Sequence, residues 1–116
     1  MYEKVRKLTI QSGDVPANAF YGKNISELQL VAVNAIGTAA FLHCGLTGTL
    51  TIPNTVTSIG KSAFGSSIDI PSDMVENKID SIYIDMTESE FAKVTLSGKW
   101  YGSFNYGDPT INYKEG

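Results

Sequence analysis

A hydrophobic pattern occurs three times in the first half of the chain. Each copy opens with an apolar-x-apolar triplet and closes on an Ala-Phe pair, and the copies span residues 8–20, 28–41 and 50–64. The closing residues Phe20, Phe41 and Phe64 are 21 and 23 positions apart. Leucine-rich repeats have periods of about 20 to 29 residues. The spacing therefore predicts a repeat architecture in which each copy contributes one unit.

Alternation within the triplets predicts short strands with one buried face. The two apolar residues of a triplet lie two positions apart, on the same side of a strand: Leu8 and Ile10, Leu28 and Leu30, Leu50 and Ile52. We expect the three strands to stack in one parallel sheet, at about 4.8 Å from one another. Pro53 has no N–H to donate and predicts the end of the third strand.

The second half of each copy must turn the chain back toward the next strand. In the third copy, four apolar residues have helical or 3₁₀-like spacing and predict a return segment with one apolar stripe: Val56, Ile59, Ala63 and Phe64. Gly37 and Gly60 each stand three positions before the closing alanine, where we expect a tight backbone bend. Pro16 holds that place in the first copy.

The motif I-G-x-x-A-F, preceded by L-x-I-P-x-x-V, resembles the BspA-like leucine-rich repeat, a short-period class found mainly in bacterial surface proteins. The resemblance covers roughly residues 8–64, and the third copy matches nearly position by position. It implies an α/β solenoid, a short right-handed leucine-rich superhelix with short parallel strands. It also implies a cell-surface or secreted location and a non-enzymatic module that binds a protein or glycan. The alternative is a structural spacer or terminal cap of a longer array, with no ligand of its own.

The last third of the chain changes pattern. Thr87 and Glu90 have the spacing of a capping box, and Met86 and Phe91 that of a hydrophobic staple, which together predict a helix over residues 88–94. Strands are predicted at 82–84 and 110–113, with a fragmentary strand at 68–71. This strand-helix-strand segment resembles the one that often ends BspA-like arrays. We therefore expect one domain over 1–116, with repeats at about 8–27, 28–49 and 50–81 and a C-terminal cap over 82–114.

Charge and composition narrow the partners. The net charge is −3, and the few basic residues outside Lys4, Arg6 and Lys7 do not cluster, so we expect no nucleic-acid partner. No stretch approaches the ~20 apolar residues of a membrane span. The start of the chain has no apolar core of a signal peptide. Because no polar unit caps the first repeat, we expect that edge to be covered by self-association or by upstream repeats.

Candidate chemistry is sparse. His43 and Cys44 could suggest a nucleophile and its base, but sequence neighbours are poorly placed for this, and a buried structural cysteine is the favoured interpretation. One set of acidic residues lacks the ligand pattern of a calcium loop: Asp69, Asp73, Glu76 and Asp80. A second set lacks the cleft in which a carboxylate pair hydrolyses sugars: Asp85, Glu88 and Glu90. We expect no enzyme activity, no metal and no cofactor.

The better candidate is a binding surface. If the apolar triplets point inward, the alternate residues form the solvent side of the sheet, and solenoid proteins bind macromolecules on such surfaces. The predicted strand-face residues are Thr9, Gln11, Glu27, Gln29, Thr49, Thr51, Tyr83 and Asp85. Trp100 and Tyr101 are aromatic candidates, since such rings stack on sugars or anchor protein partners. Closing the end of the repeat stack is the favoured role of this aromatic tail.

Overall fold

The first three strands of this chain begin at Lys7, Glu27 and Thr47, at the repeat interval. We describe a computed structural model that covers residues 7–66, 72, 74–102 and 105–115. The predicted strand at 68–71 lies outside these residues. Within them the elements are β1 (Lys7–Val15), β2 (Glu27–Ile36), β3 (Thr47–Ile52), β4 (Ser58–Ile59), β5 (Phe64–Gly65), β6 (Lys78–Ile84), α1 (Glu88–Phe91), β7 (Thr95–Leu96), β8 (Tyr101–Gly102) and β9 (Thr110–Tyr113).

All strand pairs are parallel, and they form separate sheets. The first sheet has the order β1-β2-β4-β7, the second β3-β6-β9, and the third pairs β5 with β8. Leu8 lies opposite Leu28 and Ile10 opposite Leu30, which confirms the predicted register of the first two triplets. The expectation of one sheet through all three triplets is wrong, because Leu50 and Ile52 pair with Ile82 and Ile84 of β6.

A difference in length separates β3 from β2. At one end the Thr47 N–H donates to the Ser26 carbonyl at 3.0 Å, and at the other the Thr57 N–H donates to the Asn34 carbonyl at 2.8 Å. Between these two bonds the second repeat uses eight residue steps and the third uses ten. The extra residues of the third repeat form a turn, in which the Val56 N–H donates to the Pro53 carbonyl. Strand β3 therefore leaves the ladder of β2, and Pro53 follows its last residue as predicted.

The return segments consist of consecutive turns, and their described residues contain no regular helix. The predicted apolar stripe of the third copy is confirmed, since its four residues are buried: Val56, Ile59, Ala63 and Phe64. Each return segment contains a left-handed residue that is not glycine directly before the closing alanine, namely Asn18, Ala39 and Ser62, with φ of 60°, 57° and 58°. The N–H of each donates to a carbonyl of the following unit, at 2.9, 3.0 and 2.8 Å. A helix would direct these N–H groups back along its own axis. The cost of the left-handed backbone, about 1 kcal/mol or more each, is offset by these bonds between repeats.

Gly37 and Gly60 stand at the first position of tight turns, as predicted, and their carbonyls accept the N–H groups of Ala40 and Ala63 at 3.2 Å. Glycine is needed there because neighbouring repeats pack closely, and not because of the bend itself. Neither has a positive φ. A Cβ on Gly37 would lie 2.4 Å from the Ala17 nitrogen, and one on Gly60 would lie 2.4 Å from the Thr38 nitrogen. The backbones of neighbouring repeats are thus too close at this point for any side chain.

The closing phenylalanines stack into one column. The ring centroids of Phe20 and Phe41 are 5.3 Å apart, as are those of Phe41 and Phe64, and the planes are parallel within about 5°. Trp100 extends the column, edge-on to Phe64 at 6.2 Å. Phe41 and Phe64 are fully buried, whereas Phe20 at the first repeat is half-buried. Within the described residues, the column therefore runs through the core and ends at Phe20 in the first repeat.

The C-terminal unit begins as predicted. Thr87 is the N-cap of α1, and its side chain and that of Glu90 form both bonds of the capping box. Met86 and Phe91, the predicted staple, are both buried. The helix ends at Phe91 and not at the predicted residue 94, because the chain must extend to pair β7 with β4. Strand β9 has the predicted bounds and continues the ladder of β6.

Asn77 fixes the corner before β3. Its side chain is buried, and Oδ1 accepts the N–H groups of Cys44, Gly45 and Leu46 at 3.1, 2.9 and 2.9 Å. Its Nδ2 donates to the carbonyls of Phe41 and Gly65 at 2.8 and 2.9 Å. One amide side chain thereby satisfies five backbone groups, which would otherwise be left without partners in or near the core.

The close packing at Gly37 predicts a large effect from one methyl group. Gly37→Ala places a Cβ against backbone that cannot move aside, and we expect it to lower the free energy of unfolding by about 2 to 3 kcal/mol. Thr38→Ala, an exposed neighbour, should change it by less than about 0.5 kcal/mol. Guanidinium unfolding followed by circular dichroism measures both, and equal stabilities for the two variants would contradict the packing.

A second prediction concerns Asn77. Asn77→Ala leaves three N–H donors without an acceptor, and we expect a loss of about 3 kcal/mol or more in the same unfolding experiment. Asn54→Ala is the matched control, because Asn54 is exposed and its amide makes only a 3.4 Å bond to Asp85. A loss at Asn77 no greater than that at Asn54 would show that the corner does not depend on this amide.

Candidate binding surface

The predicted strand-face residues point away from the core. Seven of the eight are exposed, and they alternate along β1, β2, β3 and β6 with the inward leucines and isoleucines. The eighth, Asp85, is half-buried and follows the end of β6. The exposed residues are Thr9, Gln11, Glu27, Gln29, Thr49, Thr51 and Tyr83.

Four of these residues come together where β3 departs from β2. Glu27, Gln29, Thr49 and Thr51 line a groove of about 360 Å³, whose other lining residues are Lys7, Leu28 and Leu30. A second hollow of about 220 Å³ shares Glu27 and Thr49 with it and is lined also by Ser26, Thr47 and Gly48. The two extra residues of the third repeat therefore produce a polar groove beside the outward face of β2 and β3.

The groove contains groups of several kinds. The Glu27 carboxylate and the Lys7 ammonium group lie on neighbouring strands, since Lys7 is the register partner of Glu27. The Gln29 amide oxygen accepts a long bond from the Thr9 hydroxyl at 3.4 Å. The Thr49 hydroxyl lies 2.9 Å from that of Ser81 on β6. A ligand in the groove would meet amide, hydroxyl and charged groups within a few residues of one another.

The other predicted residues lie apart from the groove. Gln11 is near the middle of β1, and Tyr83 is on β6, one strand beyond its register partner Thr51. Asp85 lines a different pocket. Lys7, Ser26 and Thr47 also line the two hollows and were not predicted. Lys7 and Thr47 stand two positions before Thr9 and Thr49, so extending the same alternation by one step would have included them.

The pocket at Asp85 is an unpredicted cleft beside the start of α1. Its volume is about 430 Å³, and its lining includes Val56, Met86, Glu90 and Lys114. The Glu90 carboxylate accepts the Thr87 N–H at 2.9 Å, and this bond is the main cause that lowers the pKa of Glu90. A general acid for sugar hydrolysis needs a raised pKa. The geometry thus favours the capping role of Glu90.

The His43-Cys44 pair is buried in the turn that precedes β3. Burial raises the pKa of the Cys44 thiol to about 11, and Sγ donates to the Phe20 carbonyl at 3.0 Å. Burial also lowers the pKa of His43, an effect that Glu76 opposes. A nucleophilic cysteine is an accessible thiolate with a lowered pKa. The surroundings of Cys44 have the opposite effect and support the structural interpretation.

Neither aromatic candidate is fully exposed. Trp100 is buried next to Phe64 and Phe91, so its ring belongs to the core and not to a surface. Tyr101 is half-buried, with its ring centroid 4.8 Å from that of Trp100. Among the acidic metal candidates, Asp69 and Asp73 lie outside the described residues. In the part of the chain that the structure describes, no three His, Cys, Asp or Glu side chains converge as metal ligands.

The repeat pattern can now be compared with known families. The family model for the BspA type leucine rich repeat region (6 copies) matches residues 13–100. The chain belongs to the BspA-type leucine-rich repeat family. No curated protein and no solved structure matches it. The match begins within the first copy, includes the groove residues other than Lys7, and extends beyond the third copy as far as Trp100.

The BspA-type family is associated with bacterial surface proteins, and leucine-rich repeats are generally interaction modules. The structure is rich in strands and has little helix, in agreement with a repeat fold of parallel sheets. Among the residues described, none of the helices is of the length and apolar character needed to traverse a bilayer.

The buried thiol predicts slow chemical modification. A pKa of about 11 in place of 9.0 lowers the thiolate fraction of Cys44 at pH 8 by about 100-fold, and burial slows access further. We expect the folded chain to react with a thiol reagent such as DTNB at least about 100-fold more slowly than the chain in guanidinium. Equal rates in the two states would show that Cys44 is an accessible thiol.

Proposed function

We propose that this chain is a non-enzymatic binding module of a bacterial surface or secreted protein. Its repeats would form a short right-handed solenoid closed by the C-terminal unit over residues 82–114. The shape supports this, since the principal extents are 44 × 27 × 23 Å. The aromatic tail supports it as well, because Trp100 occupies the end of the phenylalanine column as a closing unit requires.

The groove between β2 and β3 is the observation that most directly supports the proposed binding role. It is concave, and its hydroxyl, amide and charged groups stand on strands that the core holds in place. Specific sites commonly place a few fixed polar groups in a concave surface, as Gln29, Thr49 and Thr51 do here. We propose that a protein segment or glycan binds there through Gln29, Thr49 and Thr51, with Glu27 and Lys7 at one end.

An array experiment tests this proposal. The purified chain is applied to arrays of glycans and of extracellular matrix proteins, and any ligand found is titrated against two double variants. Gln29→Ala with Thr51→Ala removes one amide and one hydroxyl from the groove. Gln11→Ala with Thr110→Ala removes the same groups from exposed positions outside it.

We expect the groove variant to bind at least about tenfold more weakly and the control to bind like the parent chain. The melting temperatures of all three chains should agree, because the replaced side chains are exposed. Equal losses in the two variants would place the ligand elsewhere. Binding to no member of either array would favour the alternative, a spacer whose binding repeats are on another part of the protein.

A further inference from the structure

The first repeat differs from the next two at the point of closest packing. Gly37 and Gly60 each donate the backbone N–H to a carbonyl of the preceding repeat, to Val15 and Ile36, both at 2.8 Å. At both glycines a Cβ would lie 2.4 Å from a backbone nitrogen of that repeat. A repeat that follows another therefore needs two properties at this position: an N–H group and no side chain.

Pro16 occupies the same position in the first repeat. The Ala19 N–H donates to the Pro16 carbonyl at 3.2 Å, just as Ala40 donates to Gly37 and Ala63 to Gly60, at the same distance. In all three turns the left-handed residue comes two positions later. The turn geometry is shared, and only the residue type at its first position changes.

Proline lacks both of the required properties. It has no N–H to donate, and it carries a ring where glycine has only a hydrogen atom. We propose that Pro16 terminates the stack, so that the outer face of the first repeat does not accept another repeat with this turn. The block is local, because the rest of the face resembles the faces inside the stack.

Other features of this face would suit another repeat. The carbonyls of Ala17 and Ala19 correspond to those of Thr38 and Ala40, which accept N–H groups from the preceding repeat. The ring of Phe20 is half-buried and ends the phenylalanine column. Since acceptors and column are both present, one residue decides whether a repeat can dock.

The C-terminal unit, which follows the third repeat, shows which turn geometry excludes a side chain at this position. Ser97 donates its N–H to the Ile59 carbonyl at 3.1 Å and carries a Cβ, yet it packs against the third repeat. Its turn differs, because the left-handed residue, Gly98 with φ 60°, follows at the next position. Even so, Ser97 keeps the N–H donor that Pro16 lacks. The exclusion therefore applies to repeats that pack as the second and third do.

An added repeat tests the proposal on the full chain. A second copy of residues 8–27 is inserted directly before Leu8, so that the native first repeat becomes internal. Two forms are compared, one with the native Pro16 kept and one with Pro16→Gly at that internal position. Ala17→Gly at the neighbouring position is the matched control, because it adds flexibility without supplying the missing N–H. Hydrogen exchange read by mass spectrometry reports on the inserted residues.

With Pro16→Gly we expect the inserted amides to exchange at least about tenfold more slowly than in the other two forms, with a higher melting temperature. With Pro16 kept, or with Ala17→Gly, they should exchange like an unfolded segment. Circular dichroism of the uninserted Pro16→Gly chain verifies that the substitution itself leaves the fold intact. Protection in all forms, or in none, would overturn the proposal, because the residue at position 16 would then not decide docking.

Discussion

The structure depends on backbone hydrogen bonds that join the turns of successive repeats. Asn18, Ala39 and Ser62 turn their N–H groups toward the next unit by taking a left-handed conformation. The closing phenylalanine, two positions after each of them, also donates its N–H to a carbonyl of the next unit. These bonds bring neighbouring backbones so close that two glycines are required. They also set the spacing at which the rings of Phe20, Phe41 and Phe64 stack.

Because the spacing between repeats is fixed at the turns, a repeat with more residues must place its strand differently. Hydrogen bonds join the second and third repeats at Ser26 and Thr47 and again at Asn34 and Thr57, and the third repeat has two more residues between these bonds. Because these bonds hold, the extra residues cannot shift the register of the turns, and they displace β3 from β2 instead. The same leucine and isoleucine alternation then continues in a second sheet, from Leu50 through Ile82 to Ile111. The groove is the space left between the two sheets.

Much of this could be predicted from sequence, since alternation, proline and capping residues act locally. The inward triplets, the end of β3 before Pro53 and the capping box at Thr87 all follow from neighbouring residues. The left-handed turns could not be predicted, because Ala39 and Ser62 are residue types that rarely take this conformation. Asn77 was also missed, since its five partners are 12 to 36 residues away in the chain.

The candidate binding surface also has a part that could be predicted from the sequence and a part that could not. The outward direction of Gln29, Thr49 and Thr51 was predictable from the period of a strand. The groove that joins them was not, because it arises from which strands fail to pair. Gly37 and Gly60 show a related limit. The sequence indicates that a glycine allows a turn, but it does not indicate that a neighbouring chain segment packs against that glycine.

Hydrogen exchange of individual amides, read by NMR on the unmodified chain, tests the central claim most directly. The N–H groups of Phe41 and Phe64 bond to the next unit at 2.8 and 2.9 Å inside the fully buried column. They should exchange among the slowest amides of the protein, at rates set by global unfolding. Exchange of these two amides at the rates of exposed turn residues would contradict the account, because the bonds between repeats would then not hold the fold together.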